Sequence, residues 1–293
     1  MRTYLVLVIL LGAVATHVYA ETKNSDPSVR SSQYIDDTHD DFLSGWKGMI
    51  TNVAPDNVLE SGVWFEPSKT PRPFGKGEIK PFPDDLRAKL RANSTDGLVV
   101  VKDNRFVGQY FRFGFEIDDI HLIHSTGKCF TSFAIQPVYD RIGKEGLDLK
   151  LSKYLPRLKG KFFGECTLAQ ALDMQNGMEW TENYEDPSTA TMLSGPVSGW
   201  DPLDPAKGPE SWYERMFDFP KYGDHGKTWV YNNSAVVASA FAAEAITGRP
   251  YSDLVQASYN KLGFEDRSWY VCNSFNEFSA EGGQAISIRD HAK

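Results

Sequence analysis

The sequence predicts an α+β fold, because a β-hairpin is followed along the chain by two strongly helical segments. Two strand patterns, a β-branched run at residues 97–101 and an alternating run at 106–113, flank turn residues at 102–104. Helical spacing of apolar residues begins at Ser125 and again over residues 234–246. The chain of 293 residues is 41% hydrophobic, an ordinary globular composition that is sufficient for a domain with a subdomain.

The first twenty residues have the pattern of a secretory signal peptide. Arg2 provides a positive start, residues 4–15 form an apolar run, and Val18-Tyr19-Ala20 provides a small-residue exit before Glu21. The run is short for a bilayer span, and no later stretch approaches ~20 apolar residues. We therefore expect a secreted or periplasmic protein with no membrane contact after cleavage of residues 1–20. An uncleaved anchor is the alternative.

Residues 21–94 are predicted to form an N-terminal extension. The chain is polar with few apolar anchors to about residue 40, whereas residues 42–92 combine aromatic side chains with many prolines. Proline lacks the N–H that regular structure needs, so this composition favours an irregular segment. Its end is predicted to be a short helix at residues 84–92.

The helix that starts near Ser125 carries apolar residues at helical spacing as far as Ile142. Gly143 and Gly146 are predicted to end it. Pro137 interrupts the pattern and predicts a kink or an early end, because proline cannot donate a helical hydrogen bond.

The second half of the chain alternates short helices with long connections. Residues 167–176 form one of the short helical pieces, and a longer helix is predicted at 234–246, with Ser234 as a candidate N-cap and Gly248 beyond its end. Another helix is predicted at residues 251–261.

The charge balance argues against nucleic acid as a partner. With 31 basic and 39 acidic residues the formal net charge is −8, and the basic residues form no cluster beyond scattered pairs. Such a protein is repelled by nucleic acids and by anionic membranes. We therefore expect a small-molecule or neutral substrate, and the sequence indicates no oligomeric state.

Cysteine and histidine spacing argues against a metal centre. Cys129, Cys166 and Cys272 form no C-x-x-C pair, and His121 and His124 have no third ligand at metal spacing. The sequence thus predicts neither a metal nor a cofactor. After export one cysteine pair is able to form a disulfide, and Cys129 is expected to be buried inside a helix as a small apolar residue.

The candidate nucleophile comes from an S-x-x-K motif. On a helix, residues three apart share one face, so the lysine amine reaches the serine hydroxyl one turn away and, when neutral, can accept its proton. The motif occurs three times, as Ser44/Lys47, Ser125/Lys128 and Ser258/Lys261. Only Ser125 lies between a hairpin and a buried helix, where a nucleophile is held rigidly. The sequence therefore predicts Ser125 and Lys128 as catalytic.

A second element, Y-x-N, occurs once, as Tyr231-Asn232-Asn233, immediately before a predicted helix. A tyrosine beside a cationic lysine gives up its proton more easily and can pass it to a leaving group. The amide of Asn233 can bind both the lysine and a substrate carbonyl. These properties predict Tyr231 as catalytic and Asn233 as substrate-binding.

These segments resemble the serine β-lactamase and penicillin-binding-protein family in their order along the chain. The resemblance covers roughly residues 95–293 and rests on HSTGKCFTS at 124–132, GLDL at 146–149, YLP at 154–156, residues 167–178, YNN at 231–233 and the GG…RD-x-A pattern at 282–292. This family includes class C β-lactamases, D-alanyl-D-alanine peptidases, esterases and 6-aminohexanoate-dimer hydrolases. Within it, residues 174–187 are most similar to the 6-aminohexanoate-dimer hydrolases.

The resemblance implies a β-lactamase/transpeptidase-like α/β sandwich with an antiparallel sheet. It implies an α/β domain of residues 95–140 and 226–293 and a mostly helical subdomain of residues 141–225. The K-[ST]-G or H-x-G motif of the family is not found before Lys293, so we expect the strand that carries it, half of the oxyanion hole and the C-terminal helix to be missing.

The resemblance also implies a function. Ser125 forms an acyl-enzyme with an amide, ester or β-lactam, Lys128 and Tyr231 transfer protons, Tyr184 contacts the substrate amide and Trp180 lines the same cleft. An ordinary loop aromatic is an equally good interpretation of Tyr184. The alternative for the whole chain is a catalytically inactive or truncated binding protein that keeps the cleft.

Overall fold

The computed structural model describes residues 6–11, 62–93, 95–111, 116–200 and 211–293. The predicted signal peptide and the predicted N-terminal extension lie largely outside these residues, as does the Ser44/Lys47 pair. Of residues 6–11 only the strand is described. The predicted α+β class is confirmed, since helices and antiparallel strands are both present.

The secondary structure elements are numbered along the chain. The strands are β1 Val6–Leu11, β2 Gly62–Phe65, β3 Gly75–Lys76, β4 Thr95–Lys102, β5 Arg105–Phe111, β6 Ile120–Leu122, β7 Ser268–Val271 and β8 Gln284–Ser287. The α-helices are α1 Asp84–Ala92, α2 Gly127–Leu147, α3 Leu151–Tyr154, α4 Phe162–Glu165, α5 Leu168–Leu172, α6 Ala190–Ser198, α7 Trp212–Arg215, α8 Asn233–Thr247, α9 Tyr251–Leu262 and α10 Ile288–His291. Two 3₁₀ turns span His124–Thr126 and Pro156–Leu158.

The residues divide into two compact units. The first comprises Met1–Ile123, Tyr259–Trp269 and Ala285–Lys293, and the second comprises His124–Ser258 and Tyr270–Gln284. The division predicted from the sequence, with boundaries at residues 95, 141 and 226, is a different partition of the chain and stays a prediction.

The first unit contains the predicted hairpin. Strand β4 pairs antiparallel with β5 and with β1, and β3 pairs parallel with β5, which gives the order β1-β4-β5-β3. Asp103 and Asn104 connect β4 to β5 with φ of 49° and 57°. Two successive positive φ angles characterise a type I′ turn, whose twist matches that of the flanking strands. The predicted hairpin is therefore confirmed.

A second sheet has the order β2-β7-β8-β6. Strand β6 pairs antiparallel with β8, with Ile120 opposite Ser287. Directly beyond β8, the side chain of Arg289 forms an ion pair with Asp266. Lys293 Nζ lies 2.9 Å from a carboxylate oxygen of the buried Asp290. Lys293 Nζ also lies 3.0 Å from a carboxylate oxygen of Glu265, so this pair and the Arg289–Asp266 pair connect the chain after β8 to the loop that precedes β7.

The second unit is built around helices α2 and α8. The inward side of α8 is made of small residues, and Ala235, Val237, Ala238 and Ala242 are all fully buried. Small side chains allow two helix axes to approach closely. The Tyr139 hydroxyl on α2 donates to the Ser239 carbonyl at 2.5 Å, which fixes one helix against the other.

Helix α2 does not end early at Pro137, one of the two outcomes predicted, but continues through it to Leu147. Pro137 lacks the N–H that a helix uses, and it lies on the exposed side of α2 together with Phe133, which is 38% exposed. The break lies instead at Gly143, with φ of 59° and ψ of −169°. The predicted helix end at the two glycines is thus a backbone break followed by one further turn.

Helix α8 begins one residue earlier than predicted, and its cap is Asn232. The Asn232 side-chain oxygen accepts from the Ala235 N–H at 3.1 Å. Ser234, the predicted cap, is buried and donates to the Met216 carbonyl at 2.8 Å. Gly248 ends the helix with φ of 66°, as predicted.

The prediction that Cys129 is buried was wrong, because Cys129 is exposed. All three cysteines are free thiols, so the disulfide that one pair is able to form is absent from this structure. Cys129 lies on a side of α2 other than that of the buried Phe130 and Thr131, which explains its exposure. Burial raises the pKa of the Cys166 thiol to about 12.

Among the residues that the structure describes, no helix combines the length and the apolar character that a bilayer crossing requires.

Candidate active site

Ser125 and Lys128 lie together at the start of α2. Ser125 is exposed within the 3₁₀ turn His124–Thr126, and α2 begins at Gly127. The Lys128 amine donates to Ser125 Oγ at 3.0 Å. The predicted spacing argument therefore holds, although the serine is in the tight turn before the helix rather than in the α-helix itself.

The 3₁₀ turn has an unusual backbone at its first residue. His124 has φ of 46°, a left-handed conformation that is uncommon for residues other than glycine. Such a conformation persists only where surrounding contacts enforce it and is found frequently at functional sites. The turn leads directly into helix α2, and Ser125 within it is exposed.

The segment Ser279–Gly283 lies directly against this turn. Lys128 Nζ, which donates to Ser125 Oγ, also donates to the Glu281 carbonyl at 2.6 Å. A Cβ on Gly282 would stand 3.0 Å from the His124 carbonyl carbon and 3.3 Å from the Ser125 nitrogen, so a side chain at this position would crowd the nucleophile turn. One turn further along α2, the Thr131 hydroxyl donates to the Ala280 carbonyl at 2.6 Å.

Tyr231 reaches the same amine from another part of the second unit. Lys128 Nζ lies 4.8 Å from the centroid of the Tyr231 ring, a distance at which a cation is attracted to the ring face. Tyr231 directly precedes the cap residue Asn232, so the start of α8 fixes its backbone. Before it, the Val230 N–H donates to the Met174 carbonyl at 3.1 Å, which ties this loop to the loop after α5.

Glu182 is the centre of a second cluster beside Tyr231. Its carboxylate accepts from Trp180 Nε1 at 2.8 Å, Thr191 Oγ1 at 3.0 Å, Asn233 Nδ2 at 3.3 Å and the Tyr184 hydroxyl. Four donors on one carboxylate satisfy nearly all of its acceptor capacity. The three predicted substrate-binding residues are thus brought together by a residue that the sequence did not single out.

The electrostatics of Tyr184 follow from this cluster. Burial raises the pKa of Tyr184, and the hydrogen bond and negative charge of Glu182 raise it further, with a smaller contribution from Tyr231. The phenol is therefore held in its protonated form, with its hydrogen directed to Glu182. Tyr184 is 39% exposed, so part of its side chain faces solvent.

The other predicted residues of the cluster occupy less accessible positions. Trp180 is only 7% exposed and packs edge-on against Phe219, with ring centroids 5.9 Å apart. Its indole N–H contacts Glu182, so Trp180 supports the cluster from behind. Asn233 donates to Glu182, while within the described residues its buried Oδ1 has no hydrogen-bond partner. That oxygen is a free acceptor at the start of α8.

The rival Ser258/Lys261 motif has the wrong surroundings for catalysis. Ser258 is 5% exposed, and its hydroxyl donates to the Val255 carbonyl at 2.7 Å within α9. A buried hydroxyl that already bonds its own helix cannot act as an accessible nucleophile. Selecting Ser125 by its context therefore agrees with the geometry.

Sequence reasoning missed Glu182 and Glu281. Glu182 stands two residues from both Trp180 and Tyr184, and a carboxylate so placed between two aromatic residues with N–H and O–H donors is a usable signal. Glu281 is a charged residue within Ala280-Glu281-Gly282-Gly283, where small residues indicate close packing. A charge in such a segment must be paired or functional.

Chemically, the arrangement places an accessible hydroxyl, an amine and a phenol ring in contact. A neutral amine at 3.0 Å can accept the hydroxyl proton while the oxygen attacks an electrophile, and a phenol beside the resulting ammonium can transfer a proton onward. The dipole of helix α2 favours negative charge at its N-terminal end, next to Ser125. This is the chemistry of acyl transfer.

Comparison with known proteins gives matches consistent with this chemistry. The Beta-lactamase family model matches residues 86–285. The 6-aminohexanoate-dimer hydrolase of Paenarthrobacter ureafaciens is 25% identical over 216 residues, covering 71% of this chain and 53% of that protein. The chain therefore spans about half the length of this curated relative.

Two solved structures share the fold. A candidate 6-aminohexanoate-dimer hydrolase from Bacillus anthracis superposes with a TM-score of 0.70 at 22% identity, covering 92% of this chain and 71% of that chain. The octameric penicillin-binding protein homologue from Pyrococcus abyssi has a TM-score of 0.53 at 20% identity, covering 71% and 53%. The expected β-lactamase/transpeptidase-like fold is thereby confirmed.

Proposed function

Since the chain belongs to the β-lactamase family, we propose that it is a serine hydrolase that cleaves amide, ester or β-lactam bonds. The observation that carries this proposal is the 3.0 Å hydrogen bond between Lys128 Nζ and Ser125 Oγ in an exposed turn at the start of α2. A serine hydroxyl is a weak nucleophile unless a base stands next to it, and here the base is its direct hydrogen-bond partner.

In the proposed reaction Ser125 Oγ attacks the carbonyl carbon of the substrate, and its proton passes to the neutral amine of Lys128. The developing oxyanion is stabilised in part by the Ser125 backbone N–H. When the bond to the leaving group breaks, Lys128 and Tyr231 return the proton to the departing nitrogen or oxygen. Water then attacks the Ser125 ester, which releases the acid and restores the hydroxyl.

A linear amide is the substrate class that the surroundings of the site favour. Tyr184 presents a phenol oxygen whose hydrogen is already donated to Glu182, so that oxygen can accept a hydrogen bond from a substrate N–H. Trp229 is 61% exposed beside the Tyr231 ring, with centroids 6.4 Å apart, and offers an apolar surface to the carbon chain of a substrate. The name of the Paenarthrobacter ureafaciens relative describes a hydrolase of this class of substrate.

The decisive experiment is covalent labelling of the purified chain with a fluorophosphonate probe, read by intact mass and peptide mapping. We expect one adduct, on Ser125, that is abolished by Ser125→Ala and retained by the matched control Ser258→Ala. Lys128→Met should slow labelling by roughly 10²–10⁴-fold, the range typical of a lost general base. The absence of an adduct on the wild-type chain would contradict the proposal.

The same experiment tests the alternative of a non-catalytic binding protein that keeps the cleft. That alternative predicts a folded chain without a Ser125 adduct. Where Ser125 is labelled, turnover is measured with the linear 6-aminohexanoate dimer, p-nitrophenyl acetate and nitrocefin. Amide turnover that Tyr184→Phe reduces more than ester turnover would support the assigned substrate class.

A further inference from the structure

We propose that Glu281 is a positioning residue for Lys128. Its buried side chain fixes the carbonyl that binds the Lys128 amine, and its carboxyl charge sets the pH at which that amine accepts the Ser125 proton. This inference rests on the proposed function, because it concerns how Ser125 is activated.

The first argument is the way in which the Glu281 side chain is held. Glu281 is only 5% exposed, and its Oε1 accepts from the Ser279 hydroxyl at 2.5 Å. Trp200 Nε1 donates to Ser279 Oγ at 2.6 Å and lies 3.3 Å from the same Oε1. The carbonyl of Glu281, on the same residue, accepts from Lys128 Nζ at 2.6 Å. The side-chain contacts therefore determine the position of the Lys128 acceptor.

The second argument is that the same network reaches the nucleophile turn. The Trp200 indole stacks on the His124 imidazole, with ring centroids 5.8 Å apart and an interplanar angle of 19°. His124 is the residue with positive φ that directly precedes Ser125. Trp200 thus contacts both the Glu281 carboxyl and the side chain of His124, the residue before Ser125, so one set of side chains adjoins both serine and lysine.

The third argument is electrostatic. Burial raises the pKa of Glu281, whereas the hydrogen bond from Ser279 and the charge of Lys128 lower it. The donors Ser279 and Trp200 both contact Oε1, whereas the buried Oε2 has no hydrogen-bond partner among the described residues. Lys128 on α2 and Tyr270 on β7 both face the Glu281 carboxyl. Burial is the main cause that raises the pKa of Tyr270 to about 12, and the negative charge of Glu281 raises it as well.

The sign of the expected effect follows from this placement. A carboxylate near Lys128 stabilises the ammonium form, so removing the negative charge makes the amine lose its proton at lower pH. Glu281→Gln preserves the size of the side chain and an acceptor for Ser279. It should therefore displace the pH profile of Ser125 activation without removing the support of the Glu281 carbonyl. Glu281→Ala removes that support as well.

The test is the second-order rate constant for fluorophosphonate labelling of Ser125, measured from about pH 5 to about pH 10. We expect Glu281→Gln to move the rising limb of this profile to lower pH by about one unit, and Glu281→Ala to lower the plateau rate at least ~10-fold. Glu277→Gln is the matched control. The Glu277 carboxylate accepts from the Asn273 side chain and the Trp212 backbone N–H and does not bind Lys128, so this variant should keep the wild-type profile.

An unchanged or upward-shifted profile in Glu281→Gln, or a wild-type plateau in Glu281→Ala, would overturn the inference. Failure of the proposed function would look different, because the wild-type chain itself would then show no Ser125 adduct. Thermal unfolding of each variant is measured in parallel. The unfolding measurement is made at each pH, and only the pH values at which a variant is folded enter its labelling profile.

Discussion

Lys128 is the residue on which the site converges. Its amine contacts the Ser125 hydroxyl, the Glu281 carbonyl and the face of the Tyr231 ring. These three partners are distant in sequence from one another, and each offers a different kind of interaction to one cation. A lysine so surrounded has a fixed geometry, which is what a general base requires, because proton transfer depends on hydrogen-bond distance.

Glu182 is the residue on which the neighbouring cluster converges, and the contribution of its negative charge to stability can be measured directly. Glu182→Gln places amide hydrogens where four donors converge, so at least one hydrogen bond is lost. We expect the free energy of unfolding to fall by roughly 1–3 kcal/mol, the range for hydrogen bonds to a charged group. The measurement is denaturant unfolding. Glu185→Gln, an exposed neighbour, should stay within about 0.5 kcal/mol of wild type, and equal losses in both variants would contradict the role of Glu182.

At the scale of elements, helix ends determine where the functional groups stand. The His124–Thr126 turn and the first turn of α2 place serine and lysine one turn apart, and the Asn232 cap of α8 fixes the residue next to Tyr231. The backbone break at Gly143, near the end of α2, differs from these helix ends because no packing contact surrounds it. A Cβ on Gly143 would meet nothing within 4 Å, so only the backbone conformation disfavours a side chain at this position.

Gly143 and Gly248 therefore form a matched pair for testing backbone strain. Gly143 has φ of 59° and ψ of −169°, a region that is essentially restricted to glycine, whereas Gly248 has the milder left-handed values of 66° and 17°. We expect Gly143→Ala to cost roughly 1–3 kcal/mol of unfolding free energy and Gly248→Ala about 1 kcal/mol. Denaturant unfolding measures both. A larger loss at Gly248 than at Gly143 would contradict this assignment.

At the scale of the whole molecule, all the predicted catalytic and substrate-binding residues fall within the second unit. The first unit contains the hairpin, the β6–β8 pair and buried polar groups, including the His121–Asp96 pair with a 3.1 Å contact. The expectation of export through residues 1–20 stays a prediction. Residues 6–11 of that segment form a strand paired with β4, so cleavage after Ala20 would remove a partner strand from the first sheet.

The first unit also makes stability depend on pH. Burial, with a smaller contribution from the neighbouring His121, lowers the pKa of His291 from 6.5 to about 4. Between these values the unfolded chain binds a proton that the folded chain does not, so stability is complete above about pH 6.5 and is lost as the pH falls towards 4. The loss is at most about 3.5 kcal/mol, since one pKa unit corresponds to about 1.4 kcal/mol.

This dependence is measured as unfolding free energy at pH values across that window. His291→Gln should remove most of the slope, because glutamine has no proton to bind. An equal slope in wild type and variant would show that other groups cause the loss of stability in acid.

The sequence by itself determined features that depend on near neighbours in the chain. The hairpin turn at Asp103-Asn104, helix α1 at its predicted bounds and the serine–lysine spacing over one turn all follow from local backbone preference and side-chain periodicity. The motif order along residues 95–293 also indicated the family, because such an order records a whole fold.

Only the tertiary structure decided the contacts between residues distant in the chain. Pro137 is tolerated because it lies on the exposed side of α2. Asn232 caps α8 in place of Ser234, because the Ser234 hydroxyl donates to the Met216 carbonyl. Glu182 and Glu281 bind donors that are up to about 150 residues away in the chain. Periodicity describes which face of an element is apolar. It does not specify which distant donor a buried carboxylate meets, since that is set by the packing of whole elements against one another.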